Sequence, residues 1–150
     1  MRLALTGHRP DKLGGYAPCA FHEQVREATR ACFLAWRPVE VISGMAQGFD
    51  TIGAQLAVEI GLPLVAAIPF EGQERAWPVA ARAEYERLLR AASEVVLVSP
   101  GAFAAWKYQK RNEYMVDRGT WVLACWDGSP GGTANCIQYA GRTGKGVTLL

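Results

Sequence analysis

Six short apolar runs recur along the chain, at Leu3 to Thr6, Val39 to Ser43, Leu64 to Ile68, Val95 to Ser99, Trp121 to Trp126 and Val147 to Leu150. They are nearly continuous in hydrophobicity instead of alternating apolar with polar positions, which is the pattern of strands covered by helices on both faces. Most intervals between them have the length of a helix, and a strand–helix alternation predicts a parallel sheet. The expected fold is therefore α/β: a Rossmann-like, doubly wound, mostly parallel sheet of about six strands with helices on both faces. The expected strand order is 3-2-1-4-5-6.

The intervals themselves carry helical periodicity. Phe21, Val25, Ala28, Cys32 and Ala35 recur at steps of four, three, four and three with charged residues between them, predicting the buried stripe of a first helix. Ile52, Leu56 and Ile60 mark a second, which Gly61 and Leu62-Pro63 should end through a glycine C-cap and a proline stop. Ala81, Tyr85, Leu88 and Ala92 mark a third. A shorter helix is expected over Asn112 to Arg118, and a last one over Thr133 to Arg142 with Ala134, Ile137 and Ala140 facing inward. Trp36 and Trp121 read as packing residues.

A length of 150 residues with no repeat and no linker suits one domain spanning 1–150. Sixteen basic and 14 acidic residues leave a net charge of +2, too small for the footprint of a general nucleic-acid binder, so any basic site must be local. The first apolar stretch is too short for a signal peptide and none later reaches spanning length, so a cytoplasmic protein with no membrane partner is expected. Cys19, Cys32, Cys125 and Cys136 form no C-x-x-C pair and have no histidine set in zinc-type spacing. Neither a metal site nor a disulfide is expected. A homo-oligomer is left open by the sequence.

Ligands of open parallel sheets bind beyond the carboxyl ends of the strands, where loops and helix N-termini present free backbone N–H groups. Three loops fall on that edge: Thr6-Gly7-His8-Arg9-Pro10, then Ser43-Gly44-Met45-Ala46-Gln47-Gly48-Phe49-Asp50-Thr51, then Asp127-Gly128-Ser129-Pro130-Gly131-Gly132-Thr133-Ala134-Asn135. Backbone can cradle a phosphate only where no Cβ holds it away, a need met by Gly44, Gly48, Gly131 and Gly132. Ser43 and Thr133 add hydroxyls, and Arg9 a bidentate charge. His8 stands either at the ligand or hydrogen-bonded to a backbone carbonyl. The run Gly141 to Gly146 lacks Walker spacing and precedes a strand, and Gly7 opens no G-x-G-x-x-G fingerprint.

These loops, with Lys12-Leu13-Gly14-Gly15-Tyr16, Pro69-Phe70-Glu71-Gly72-Gln73-Glu74 and Arg111-Asn112-Glu113-Tyr114-Met115-Val116-Asp117, resemble the YpsA-like family of the SLOG superfamily over nearly the whole chain. The resemblance implies a pocket for a nucleotide, an NAD-derived or an ADP-ribose-like ligand in a sensor or processing protein, and brings Pro69, Phe70 and Trp77 toward it. No cofactor is firmly implied beyond such a nucleotide. The superfamily is similar in fold to LOG phosphoribohydrolases, which release a base from a nucleoside 5′-monophosphate, and to the recombination mediators called DNA-processing protein A, which bind single-stranded DNA. Both remain alternatives. The LOG group places a catalytic glutamate on the helix after its P-G-G-x-G-T loop, whereas here Cys136 and Ile137 follow and the helix carries no carboxylate.

Asp50 is placed first as a helix N-cap, with a ribose hydroxyl as its alternative partner. Glu71 and Glu74 are weak catalytic candidates, able to receive a ribose hydroxyl or move a proton, and equally suited to solvent. Arg111, Asn112, Tyr114 and Asp117 open a helix on the ligand edge beside Trp106, Lys107, Tyr108 and Lys110. That basic-aromatic patch suits either base stacking with phosphate neutralisation or a single-strand groove.

Overall fold

The computed structural model describes residues 1–15 and 19–150. Tyr16 of the family-like blocks lies outside the described residues. The elements are β1 (Arg2–Gly7), a 3-10 turn (Pro10–Lys12), α1 (Ala20–Trp36), β2 (Glu40–Ser43), α2 (Phe49–Ile60), β3 (Leu64–Ile68), α3 (Val79–Ala91), β4 (Glu94–Leu97), α4 (Trp106–Arg118), β5 (Trp121–Cys125), α5 (Gly132–Arg142) and β6 (Gly146–Leu149). All five strand pairings are parallel, so every described strand ends at the same edge of the sheet.

Successive strand residues point to opposite faces, and each face has its own core. Leu3, Leu5, Val41, Leu64 and Leu123 pack with Phe33 of α1, Leu56 of α2 and Leu88 of α3. Ala4, Ile42, Val65 and Val122 pack with Met115 and Val116 of α4 and with Cys136 and Ala140 of α5. Continuous hydrophobicity along the strands is thus the signature of a sheet covered on both sides.

The strand order is 4-3-2-1-5-6, not 3-2-1-4-5-6. Because α3 lies on the same face as α1 and α2, right-handed crossovers carry the chain onward in one direction through β4. Only α4, on the other face, returns it across the sheet to place β5 against β1. β4 suits the edge: Val95 is half-exposed, and Glu94 meets Arg118, which also holds Glu40 of β2. A central position would have buried that charged start.

Two helices differ from expectation. The buried stripe of α1 runs through Val25, Thr29 and Phe33, while Phe21, Ala28 and Ala35 face outward, because Thr29 hides its hydroxyl on the Val25 carbonyl and takes a core position. Helix α4 begins at Trp106, six residues before Asn112. Its inward stripe there is Lys107, Arg111 and Met115, all buried, and two charged residues in core positions conceal a helix from hydrophobic periodicity. Helix α2 ends as expected, on Gly61 with φ 80°. In α5 it is Cys136, not Ile137, that is buried beside Ala134 and Ala140.

Candidate functional site

β1 and β5 are neighbours, yet the chain leaving β1 turns to one face and the chain leaving β5 to the other. Such a switch point opens a crevice at the carboxyl edge. Here it is a cleft of about 450 Å³, floored by Leu5, Thr6 and Gly7. One wall is the turn carrying Arg9, Asp11 and Lys12; the other is the stretch Ser129 to Thr133 that leads into α5. Asp50, Tyr108, Arg111 and Asn112 close the back.

The α5 wall is built for an anion. Gly131 caps the helix with φ 142°, a conformation that L side chains rarely adopt. A Cβ on Gly131 or Gly132 would meet no atom within 4 Å, so both backbones lie bare. The first N–H groups of a helix have no partner within it, and the helix dipole adds partial positive charge at that end. Asn112 Nδ2 donates to the Gly132 carbonyl at 3.4 Å and ties this wall to α4.

Behind it stand two buried charges. Arg111 donates through Nη1 to the Gly44 carbonyl at 2.6 Å and through Nε to Asn112 Oδ1 at 3.0 Å. Asp50 Oδ2 accepts the Ala46 N–H at 3.3 Å. Burial pushes the Asp50 carboxyl upward while Arg111, the Ala46 N–H and Arg9 pull it down; burial likewise lowers Arg111, with Asp50 opposing. Asp50 is not the N-cap of α2: Gly48 is, and Asp50 sits in the first helical turn reaching back into the loop. Under the floor, burial pushes the Cys136 thiol up to about 11, leaving it protonated.

At the mouth a polar clasp joins the two walls. The Asp127 N–H donates to His8 Nε2 at 2.8 Å, Lys12 Nζ donates to Ser129 Oγ at 2.5 Å, and Lys12 lies 3.7 Å from the Asp127 carboxylate. Hydrogen bonds from Ser129, aided by His8 and Lys12, hold Asp127 well below the usual carboxylate range. His8 thus lines the cleft, and its side chain meets the Asp127 N–H instead of a backbone carbonyl.

A family model described as the YspA SLOG family matches residues 3–143. The chain belongs to that family. It is 38% identical over 96 residues to the uncharacterized SPbeta prophage-derived protein YoqJ of Bacillus subtilis (strain 168), covering 57% of this chain and 56% of that protein. It superposes on DNA processing protein A of Streptococcus pneumoniae with TM-score 0.72 at 17% identity, over 99% of this chain and 49% of that one. A structure describing the single-stranded DNA binding mode of DNA processing protein A from Helicobacter pylori gives TM-score 0.70 at 16% identity, over 99% and 64%. The chain therefore spans about half the length of YoqJ and of the S. pneumoniae protein, and the two structural likenesses are ones of fold.

Of the residues singled out from sequence, this YspA SLOG domain gathers Thr6, Gly7, His8, Arg9, Asp50, Arg111, Asn112, Gly131, Gly132 and Thr133 around one cleft. Others stand apart from it. Ser43 is buried with its hydroxyl between the Asp50 carbonyl and the Met45 N–H. A Cβ on Gly44 would strike Arg111, and one on Gly48 would lie 2.4 Å from the His8 carbonyl, so these glycines serve packing between loops. Thr51 donates to the Ala46 carbonyl, Phe70 packs edge-on against Tyr108 with Pro69 before it, Tyr114 accepts from Arg118, and Asn135 is exposed along α5. Glu71 and Glu74 do not line the cleft, and Trp77 packs on Tyr85.

Asp11 and Lys12, beside the first loop, and Ser129 and Pro130, within the third, also line the cleft without having been singled out one by one as ligand residues. Their signal was adjacency: each lies in or beside a glycine-rich loop or a family-like block. The basic-aromatic patch divides instead of acting as one surface. Lys107 Nζ donates to the carbonyls of Pro100 and Ala102, and Lys110 pairs with Glu113 at 3.7 Å. Tyr108, Arg111 and Asn112 line the cleft.

Proposed function

We propose that the protein binds a phosphate-bearing nucleotide or nucleotide-derived ligand, of the nucleoside phosphate, NAD or ADP-ribose type, as a sensor or processing protein. The observation that carries this reading is the bare N-terminus of α5, where Gly131 and Gly132 leave backbone N–H groups open to the cleft opposite Arg9 and Lys12. A phosphate there accepts from backbone and is neutralised by one or both of the cations on the facing wall, while Thr133 adds a hydroxyl. The cleft volume falls in the range of small-ligand sites. Calorimetry against AMP, ADP-ribose and NAD is expected to show binding in the low micromolar to millimolar range. No heat with any of the three overturns the reading.

A single-strand nucleic-acid reading comes second, favoured by the fold shared with DNA processing protein A over 99% of this chain. Against it, Lys107, Lys110 and Arg111 are each engaged within the domain, whereas a single-strand groove needs cations free to follow several phosphates. Weak or no oligothymidine binding is expected at physiological salt. A tight, length-dependent complex whose affinity falls with salt at a logarithmic slope of about −0.7 per phosphate would reverse this ranking. The phosphoribohydrolase reading needs an acid or base over the glycosidic bond. Neither Glu71 nor Glu74 lines the cleft, and α5 carries no carboxylate.

A further inference from the structure

Asp50 and Arg111 are the two most buried charged side chains lining the cleft, at 7% and 5% exposure. Each has a polar end left over. Asp50 spends Oδ2 on the Ala46 N–H, and its Oδ1 has no hydrogen-bond partner among the described residues. Arg111 spends Nε on Asn112 and Nη1 on Gly44, and its Nη2 likewise has no hydrogen-bond partner among the described residues. An unspent acceptor and an unspent donor therefore belong to two residues that both line the back of the cleft.

We infer that this pair takes the cis-diol of a ribose, Asp50 Oδ1 accepting one hydroxyl proton and Arg111 Nη2 donating to the neighbouring oxygen, so that the cleft selects ribonucleotides over deoxyribonucleotides. The inference rests on the nucleotide reading of the cleft. A second phosphate at this position would meet the Asp50 carboxylate, and an ammonium would meet the guanidinium, so the pair rejects both ions. A neutral group with adjacent donor and acceptor satisfies both ends, and a diol is such a group. The α5 N-terminus, on the neighbouring wall, takes the phosphate of the same molecule.

The wild-type protein alone carries the test, by calorimetry with AMP, 2′-deoxy-AMP and 3′-deoxy-AMP, and with UMP and 2′-deoxy-UMP as controls for the base. Hydrogen bonds to charged groups contribute enough that each missing hydroxyl should weaken binding by roughly tenfold or more. The ratio should persist when uracil replaces adenine, because the sugar is what is read. In Asp50→Asn, AMP should fall to the affinity of 2′-deoxy-AMP while 2′-deoxy-AMP itself still binds, which also shows that the variant is folded. Equal affinity of the wild type for AMP and 2′-deoxy-AMP overturns the inference and leaves the nucleotide reading standing, as does a ratio that follows the base. Binding of none of these nucleotides overturns both.

Discussion

Replacing Gly132 with valine should weaken nucleotide binding by roughly a hundredfold or more while leaving the fold intact. The magnitude follows from losing about two charge-assisted hydrogen bonds between backbone N–H groups and phosphate, each contributing about 1.5–3 kcal/mol. A Cβ at this position meets no atom within 4 Å, so the added side chain should be accommodated by the protein while crowding the cleft that Gly132 lines. Thermal unfolding should stay within a few degrees of wild type, because neither core includes this residue. Gly141→Val is the matched control, on the same helix and equally free of neighbours but away from the cleft, and should bind as wild type does. Equal loss in both variants would show that α5 tolerates no valine and remove the support for a phosphate cradle.

The second large effect is expected in stability. Arg111→Met removes the cation nearest the buried Asp50 carboxylate and the donor that fixes the Gly44 carbonyl. Removing the cation that offsets a buried carboxylate is expected to cost up to about 3–5 kcal/mol, because the remaining charge stays buried without compensation. The loss should depend on pH with a definite sign. Burial already holds the Asp50 carboxyl above its ordinary value, and without Arg111 it rises further. A carboxyl whose folded pKa lies above its unfolded one takes up a proton more readily when folded, so stability is lost as pH rises through the folded value. Conversely, it is regained as pH falls toward the unfolded value. The melting temperature of Arg111→Met should therefore recover toward wild type between neutral and mildly acidic pH, as followed by circular dichroism. A deficit that stays constant across that range would mean that lost packing, not an uncompensated carboxylate, causes it.

The nearly unbroken apolar runs determined the six strands, and the glycine, proline and amphipathic signals determined most of the helices between them, because these features report whether a segment is covered on one face or two. Three glycine-rich loops on one sheet edge were legible for the same reason, since a parallel alternation sends every strand to the same end. The tertiary structure alone decided the strand order, which depends on the face each helix chooses; α4 crosses to the opposite face and carries β5 to β1. It also decided that Lys107 and Arg111 would occupy core positions of α4, where each donates to loop carbonyls. Finally, it sorted the glycines: Gly44 and Gly48 are spent on contacts with Arg111 and the His8 carbonyl, whereas Gly131 and Gly132 stay bare. No local pattern distinguishes these pairs, because what lies against a Cα is set by chain brought from elsewhere in the fold.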